Sequence, residues 1–306
     1  MKRALGTFAL IGALAAGAMT LSACDASPYA ASVNGETISQ LALNSQLKDW
    51  ASNRTWVTSF DTANSQQNGG SGTTVAGTGG AGTYSSTFVA DILDNMIQVR
   101  IIHQHLAGTA NLPGPDEVVA SRAVNEFLRS NYWDQFSPSL RSFLVDQLAE
   151  QAPLTPVSSD TTTLRSAYGQ IQPYLFSKLC VTTASAFDEA SAKKLASSPD
   201  LQGAEVCYNQ SSFEDQPVAF QNAVAKLSVG QTAAPIKTSF GYQVVRLTIR
   251  QSPGFSPGVQ RVLSVATASS PSPQVTRLIG AAHVKVNPAY GTWSGGRITT
   301  PQLASS

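Results

Sequence analysis

Apolar residues recur at intervals of three and four along the middle of this chain. Phe88, Ile92, Met96, Val99 and Ile102 form one such stripe and predict a helix opening at Thr87. Further upstream, Leu41, Leu43, Leu47 and Trp50 follow Ser39, a residue suited to cap a helix N-terminus. Pro113 and Pro115 close the long stripe and open another, carried by Val118, Val119, Val124, Phe127 and Leu128. A further helix is expected from Pro138, with Leu140, Phe143, Leu144, Val145 and Leu148, and one more over Thr161 to Phe176, interrupted by Pro173. Val33 and Ile38 flank Asn34-Gly35, a pair that favours a type I′ hairpin turn. From Ala63 to Ser86 the chain is Gly, Ser, Thr and Gln with little to bury, so a flexible insertion is expected there.

Near Cys180 the pattern shortens. Phe187 to Leu195 reads as a short helix, Ala204 to Tyr208 as a strand, Pro217 to Leu227 as a helix ended by Gly230, and Tyr242 to Ile249 as a β-prone run. Beyond it, Pro/Ser/Gly clusters at 252–258 and 268–273 bracket Val262-Leu-Ser-Val265, and Ala282 to Trp293 alternates like a strand. The expected fold class is α+β. A mostly helical domain covers 31–176, including the insertion at 63–86. A small α/β module covers 177–251, and a C-terminal return segment and tail covers 252–306.

With 306 residues, 42% of them hydrophobic, the chain can fill one or two cores. Only 13% are charged, 20 basic against 19 acidic, which leaves no strong field to hold nucleic acid.

The first residues add a location. Met1-Lys2-Arg3 is followed by an uncharged apolar run from Ala4 to Leu21, short, rich in Ala and Gly and closing on small residues, which reads as a secretory signal rather than a spanning helix. It ends in Leu21-Ser22-Ala23-Cys24, which resembles the lipobox of bacterial lipoproteins. That resemblance implies removal of 1–23, lipid attachment at Cys24 and a tether over 24–30, in an extracytoplasmic setting. No later run is apolar for about 18 residues, so the expectation is a chain anchored to a membrane without spanning it. With Cys24 used for lipid, Cys180 and Cys207 remain, and in an oxidising compartment a disulfide between them is the default reading. Closing a loop of that length contributes about 3 to 4 kcal/mol.

Phe220-x-x-Ala223, Leu227-x-x-Gly230, Pro235-Ile236-x-Thr238 and Phe240-Gly241-Tyr242 stand at the spacing of parvulin-type peptidyl-prolyl isomerases. With Val33-Asn-Gly35 at one end and Val284-x-Val-Asn-Pro-x-Tyr-Gly291 at the other, most of the mature chain, the helices only weakly, resembles the SurA/PrsA group of envelope folding factors. The matching ends imply that the termini pair as short strands against a SurA-like helical domain. In parvulins two buried histidines lie on the first and last strands, at the floor of a proline pocket. Here the last-strand position is Gln243, which hydrogen-bonds but does not titrate. The first strand puts either Lys178 or Thr183 where the other histidine belongs. The three histidines, His103, His105 and His283, lie outside the module. The resemblance therefore implies a degenerate parvulin with a peptide or proline pocket at Phe220, Thr238 and Gln243, and assigns no catalytic residue.

Other constellations carry less. His103 and His105, two apart on a helix, point about 200° from each other and cannot chelate one ion, so no metal is expected. Glu214-Asp215 and Asp188-Glu189 are adjacent carboxylates of the sort found at helix starts. Trp50, Trp56, Tyr132 and Trp133 are core, or rim to a client groove. No cofactor is implied.

The expected function is that of a membrane-anchored extracytoplasmic folding factor. It would bind unfolded or extended exported polypeptides without efficient isomerase activity. Two alternatives stand beside it, a weakly active isomerase and a non-enzymatic envelope docking module.

Overall fold

The computed structural model describes residues 29–67, 74–77, 82–225 and 227–300, so the signal segment, Cys24 and most of the tether lie outside the described residues. Strands β1 (Tyr29–Val33) and β2 (Glu36–Ser39) form the first hairpin. Its turn has positive φ at both Asn34 and Gly35, as a type I′ turn requires. Ser39 accepts a hydrogen bond from the Ala42 amide at 3.1 Å and starts helix α1 (Gln40–Ser52). Leu43, Leu47 and Trp50 are buried as expected, but Leu41 is 80% exposed. Two positions along a helix turn a side chain by about 200°, so Leu41 cannot share the face of Leu43.

Helix α2 (Arg54–Gln67) runs into the expected insertion, and Val75 within it is buried, its amide held by the Asp61 carboxylate at 2.9 Å. Ser85 then caps helix α3 (Ser86–Thr109). Val75 and the distant Asp61 acceptor leave no periodic trace in a Gly/Ser/Thr-rich run, so sequence reading misses these anchor points. Helices α4 (Pro115–Leu128), α5 (Pro138–Gln151) and α6 (Thr161–Ile171) follow. Trp50 and Trp133 are core residues, whereas Trp56 and Tyr132 are partly buried against that core.

The α/β module consists of β3 (Lys178–Ala186), α7 (Glu189–Ala196), β4 (Ala204–Tyr208), α8 (Gln210–Glu214), α9 (Val218–Ala225), β5 (Ile236–Thr238) and β6 (Gly241–Gln251). Its sheet is antiparallel throughout, in the order β4-β3-β6-β5. Asp188 caps α7, so this carboxylate does mark a helix start, whereas Glu214 closes α8. Cys180 and Cys207 sit directly opposite each other on β3 and β4, 4.0 Å apart at Cα, and are disulfide-bonded. On one face of the sheet Leu179, Val181, Val245 and Leu247 pack with Phe213, Phe220 and Val224; on the other, Val244 packs with Ala192 and Leu201.

The C-terminal segment corrects the reading of a mere return. It forms α10 (Pro257–Thr267), α11 (Pro273–Ala281), β7 (Val284–Val286) and a hairpin of β8 (Thr292–Ser294) and β9 (Arg297–Thr299). The Pro/Ser clusters open helices here: Ser256 and Ser272 are N-caps, and Pro257 and Pro273 occupy the first helical position, where proline lacks no needed donor. The strand expected over 282–293 is only three residues long in β7, which pairs antiparallel with β1. The termini thus meet in one sheet of order β2-β1-β7. Val259, Val262 and Leu263 of α10 pack with Ala120, Val124 and Leu164, while Val275, Ile279 and Ile298 join the core around Phe88, Leu93 and Ile97. The first and the last described segments therefore both pack with the helical domain.

Candidate functional site

A large concavity lies in the helical domain, between the β1–β2 hairpin, α3 and α5. It is an open cleft of about 960 Å³ with an apolar floor of Ile38, Met96, Val99 and Phe143. Helical spacing explains the floor and the rim together: Met96 and Val99 follow one face of α3, and Arg100, His103 and Gln104 take the adjoining positions. The rim groups are tied across elements. Arg100 pairs with Glu36 of β2 at 2.7 Å, and His103 Nδ1 lies 2.6 Å from Glu150 Oε1 of α5. The Gln104 amide donates to the Val33 carbonyl and accepts from Asn34.

Burial pushes the Glu150 carboxyl up, opposed by its contact with His103, and burial likewise raises Asp146, another acid lining the cleft. The Arg100 hydrogen bond holds Glu36 down. Glu150 Oε2 is buried with no hydrogen-bond partner. No group of three His, Cys, Asp or Glu side chains able to hold a metal occurs among the described residues.

The module presents a different surface. Phe220 is 3% exposed and packs its ring against Tyr208 and Phe213, with centroids 5.8 and 6.1 Å away. Gln243 pairs in register with Ile236 and Ser185 and shares the sheet face of Val245, on the Phe220 side. Thr238 closes the β5–β6 turn, where its hydroxyl donates to the Gly241 carbonyl and accepts from the Phe240 amide. Gln243 and Thr238 thus lie at one end of the sheet, Thr238 committed to a turn, whereas Phe220 is core beside Tyr208, which stands opposite Leu179 toward the other end. Of the two first-strand alternatives, Thr183 lies opposite Val245, one diagonal step from Gln243. Lys178 lies opposite Gln251, at the far end of β6.

At the tip beside Gln243, Phe187 and Phe240 are 95% and 90% exposed. Gly241, at φ +121°, lets the β5–β6 turn close on the end of β3, where a Cβ would stand 2.4 Å from the Ala186 carbonyl oxygen. Sequence reading placed Phe187 inside a helix and Phe240 only in a motif, and so missed the pair.

No family model and no curated protein matches this chain. Many of its structural neighbours are PrsA and SurA-like foldases. It is similar to the PrsA peptidylprolyl isomerase of Bacillus cereus at 15% identity, over 87% of this chain and 96% of that one, with a TM-score of 0.23. It is similar to the PrsA foldase of Lactococcus lactis at 16% identity, over 86% and 96%, with a TM-score of 0.27. A structure reported for two SurA-like chaperones of Campylobacter jejuni matches at 10% identity, over 85% and 99%, with a TM-score of 0.23. The chain has the expected α+β architecture, a helical domain with small antiparallel sheets. Among the described residues no helix is long and apolar enough to cross a membrane.

Proposed function

We propose that the protein is a membrane-anchored extracytoplasmic folding factor that binds unfolded or extended segments of exported polypeptides and isomerises prolyl bonds inefficiently. The observation that carries this reading is the open cleft over Ile38, Met96, Val99 and Phe143. An extended segment can lay apolar side chains on that floor while its backbone meets the amide and carboxylate groups of the rim. Lipid at Cys24 would hold the cleft at the membrane surface where exported chains emerge.

The module supports the second half of the proposal. Crossing the prolyl barrier of roughly 18–20 kcal/mol calls for groups that favour the twisted amide. The sheet face beside Phe220 offers neutral Gln243 where the resembling family has histidine. The weak-isomerase alternative draws on Gln243, Ser185 and Thr183, whose neutral polar side chains share a face of the sheet. The docking alternative draws on the exposed rings of Phe187 and Phe240.

The test is suppression of aggregation of a chemically unfolded client by the mature domain, with and without Met96→Lys, and with folding checked by circular dichroism. Suppression by the parent and at least a fivefold weaker effect for the variant are expected. Equal suppression by both removes the cleft from the mechanism.

A further inference from the structure

The charges of this chain are divided along its length. All 19 carboxylate residues lie before position 216, and residues 216–306 hold eight Lys and Arg with no Asp or Glu. Part of that cationic segment, β7 and the turn after it, packs against the place where the tether enters the fold. The Tyr29 carbonyl accepts from Asn287 Nδ2 at 2.9 Å, and the Ala30 carbonyl accepts from the Asn287 amide at 2.9 Å. Tyr29 also pairs in register with Ser39, two residues before Leu41. Tyr29 is 40% exposed and Leu41 projects into solvent, so an exposed aromatic and an exposed aliphatic residue are neighbours in register where the described residues begin.

Two exposed cations flank them. Lys48 lies two helical turns beyond Leu41 on the same stripe, a rise of about 10 Å. Lys285 precedes Asn287 by two strand positions, about 7 Å. No ion pair engages either lysine among the described residues. Neither of the stretches that build this surface, 37–48 and 284–300, contains an acid. Asp49, next in line, is turned to the hydroxyls of Ser137 and Ser139.

Five peptide steps separate Cys24 from Tyr29, a reach of at most about 18 Å. We infer that the surface formed by Tyr29, Leu41, Lys48 and Lys285 rests on the membrane, with the two apolar side chains in the headgroup interface and the two lysines against anionic lipid headgroups. The inference depends on the proposed lipid at Cys24, which keeps the surface close to the bilayer. Attraction of cations to an anionic leaflet decays within a Debye length, about 8 Å at physiological ionic strength, and a tether this short lets the patch come within that range. Aromatic and leucine side chains beside lysines are the composition that binds at a lipid interface without spanning it.

The experiment is amine acetylation read by mass spectrometry on the full lipidated protein, free in detergent and inserted in vesicles of equal phosphatidylglycerol and phosphatidylcholine. Lys48 and Lys285 are expected to label at least threefold more slowly on the vesicles, while Lys194 and Lys237 of the α/β module keep their rates. The double substitution Leu41→Ser and Lys48→Glu should return Lys285 to its detergent rate. Unchanged labelling of Lys48 and Lys285, or equal slowing of all four lysines, overturns the inference. The acyl group is read in the same data as the mass of the peptide beginning at Cys24. Its absence overturns the anchor and this surface together, whereas its presence with unchanged labelling overturns the surface alone.

Discussion

His103 on α3 and Glu150 on α5 meet at 2.6 Å across one end of the cleft, although 47 residues separate them in the chain. This contact ties two helices whose side chains form much of the apolar floor, and it compensates a carboxylate that burial disfavours. Replacing the imidazole leaves that carboxylate buried without its partner. His103→Ala should therefore destabilise the protein by about 1 kcal/mol at pH 7. The loss should shrink as the pH falls below 4.5, because Glu150 is then protonated in the folded and the unfolded chain alike. Urea denaturation at pH 7 and at pH 3.5 checks both halves of the expectation.

Asp94 gives a pH dependence of known direction. Burial raises its carboxyl to about 6, opposed by a hydrogen bond from the Ile298 amide. The folded protein then holds this proton more tightly than the unfolded chain, whose carboxyl stays near 3.8. Stability from this group is therefore highest below the unfolded value and declines as the pH rises from about 4 to 6. Asp94→Asn keeps an acceptor for Ile298 and removes the decline. The variant should match the parent at pH 3.5 and exceed it at pH 7 by about 1 kcal/mol, a figure discounted because the group is only half-buried. Melting temperatures at the two pH values decide it.

Arg250 joins the module to the helical domain. Its guanidinium donates to the carbonyls of Val224 and Ala225 at the end of α9, and to Pro173 ahead of β3. Arg250→Ala should cost about 2–3 kcal/mol, since it orphans helix-end carbonyls and withdraws a cation near the buried carboxyl of Glu126. Lysine reaches fewer acceptors and should restore only part. Chemical denaturation of the parent and both variants gives the comparison.

Reduction of Cys180–Cys207 should lower module stability by about 3 kcal/mol and leave the helical domain folded. Hydrogen exchange after reduction should accelerate at the amides of β4, an edge strand held by β3 alone, and remain slow in α3. Equal acceleration in α3 would contradict that independence.

The elements legible in the sequence are those set by neighbours in the chain. Ser39 caps α1, Asn34-Gly35 turns the first hairpin, and the β-prone run over 242–249 became β6 with little change. The disulfide followed from a count of cysteines. What stayed hidden depends on residues far apart. The cleft needs Ile38, Val99 and Phe143 from three elements, and nothing in their separate patterns says that the hairpin, α3 and α5 leave a gap. Ser256-Pro257 and Ser272-Pro273 carry both a turn meaning and a helix-start meaning, and packing of Val259 and Val275 into the helical cores selects the second. Exposure of Phe187 and Phe240 was equally hidden, because a phenylalanine in sequence reads as core until the backbone aims it outward.

Client binding in the cleft is tested most directly by methyl NMR of the mature domain during titration with a permanently unfolded, reduced and carboxymethylated protein. The expected result is saturable shifts confined to Ile38, Met96 and Val99, with proline-peptide exchange in the same sample no faster than without the protein. Shifts that leave these methyls unmoved and gather instead at Val244, Val245 and Leu247, together with accelerated exchange, would contradict it and make the module an active isomerase.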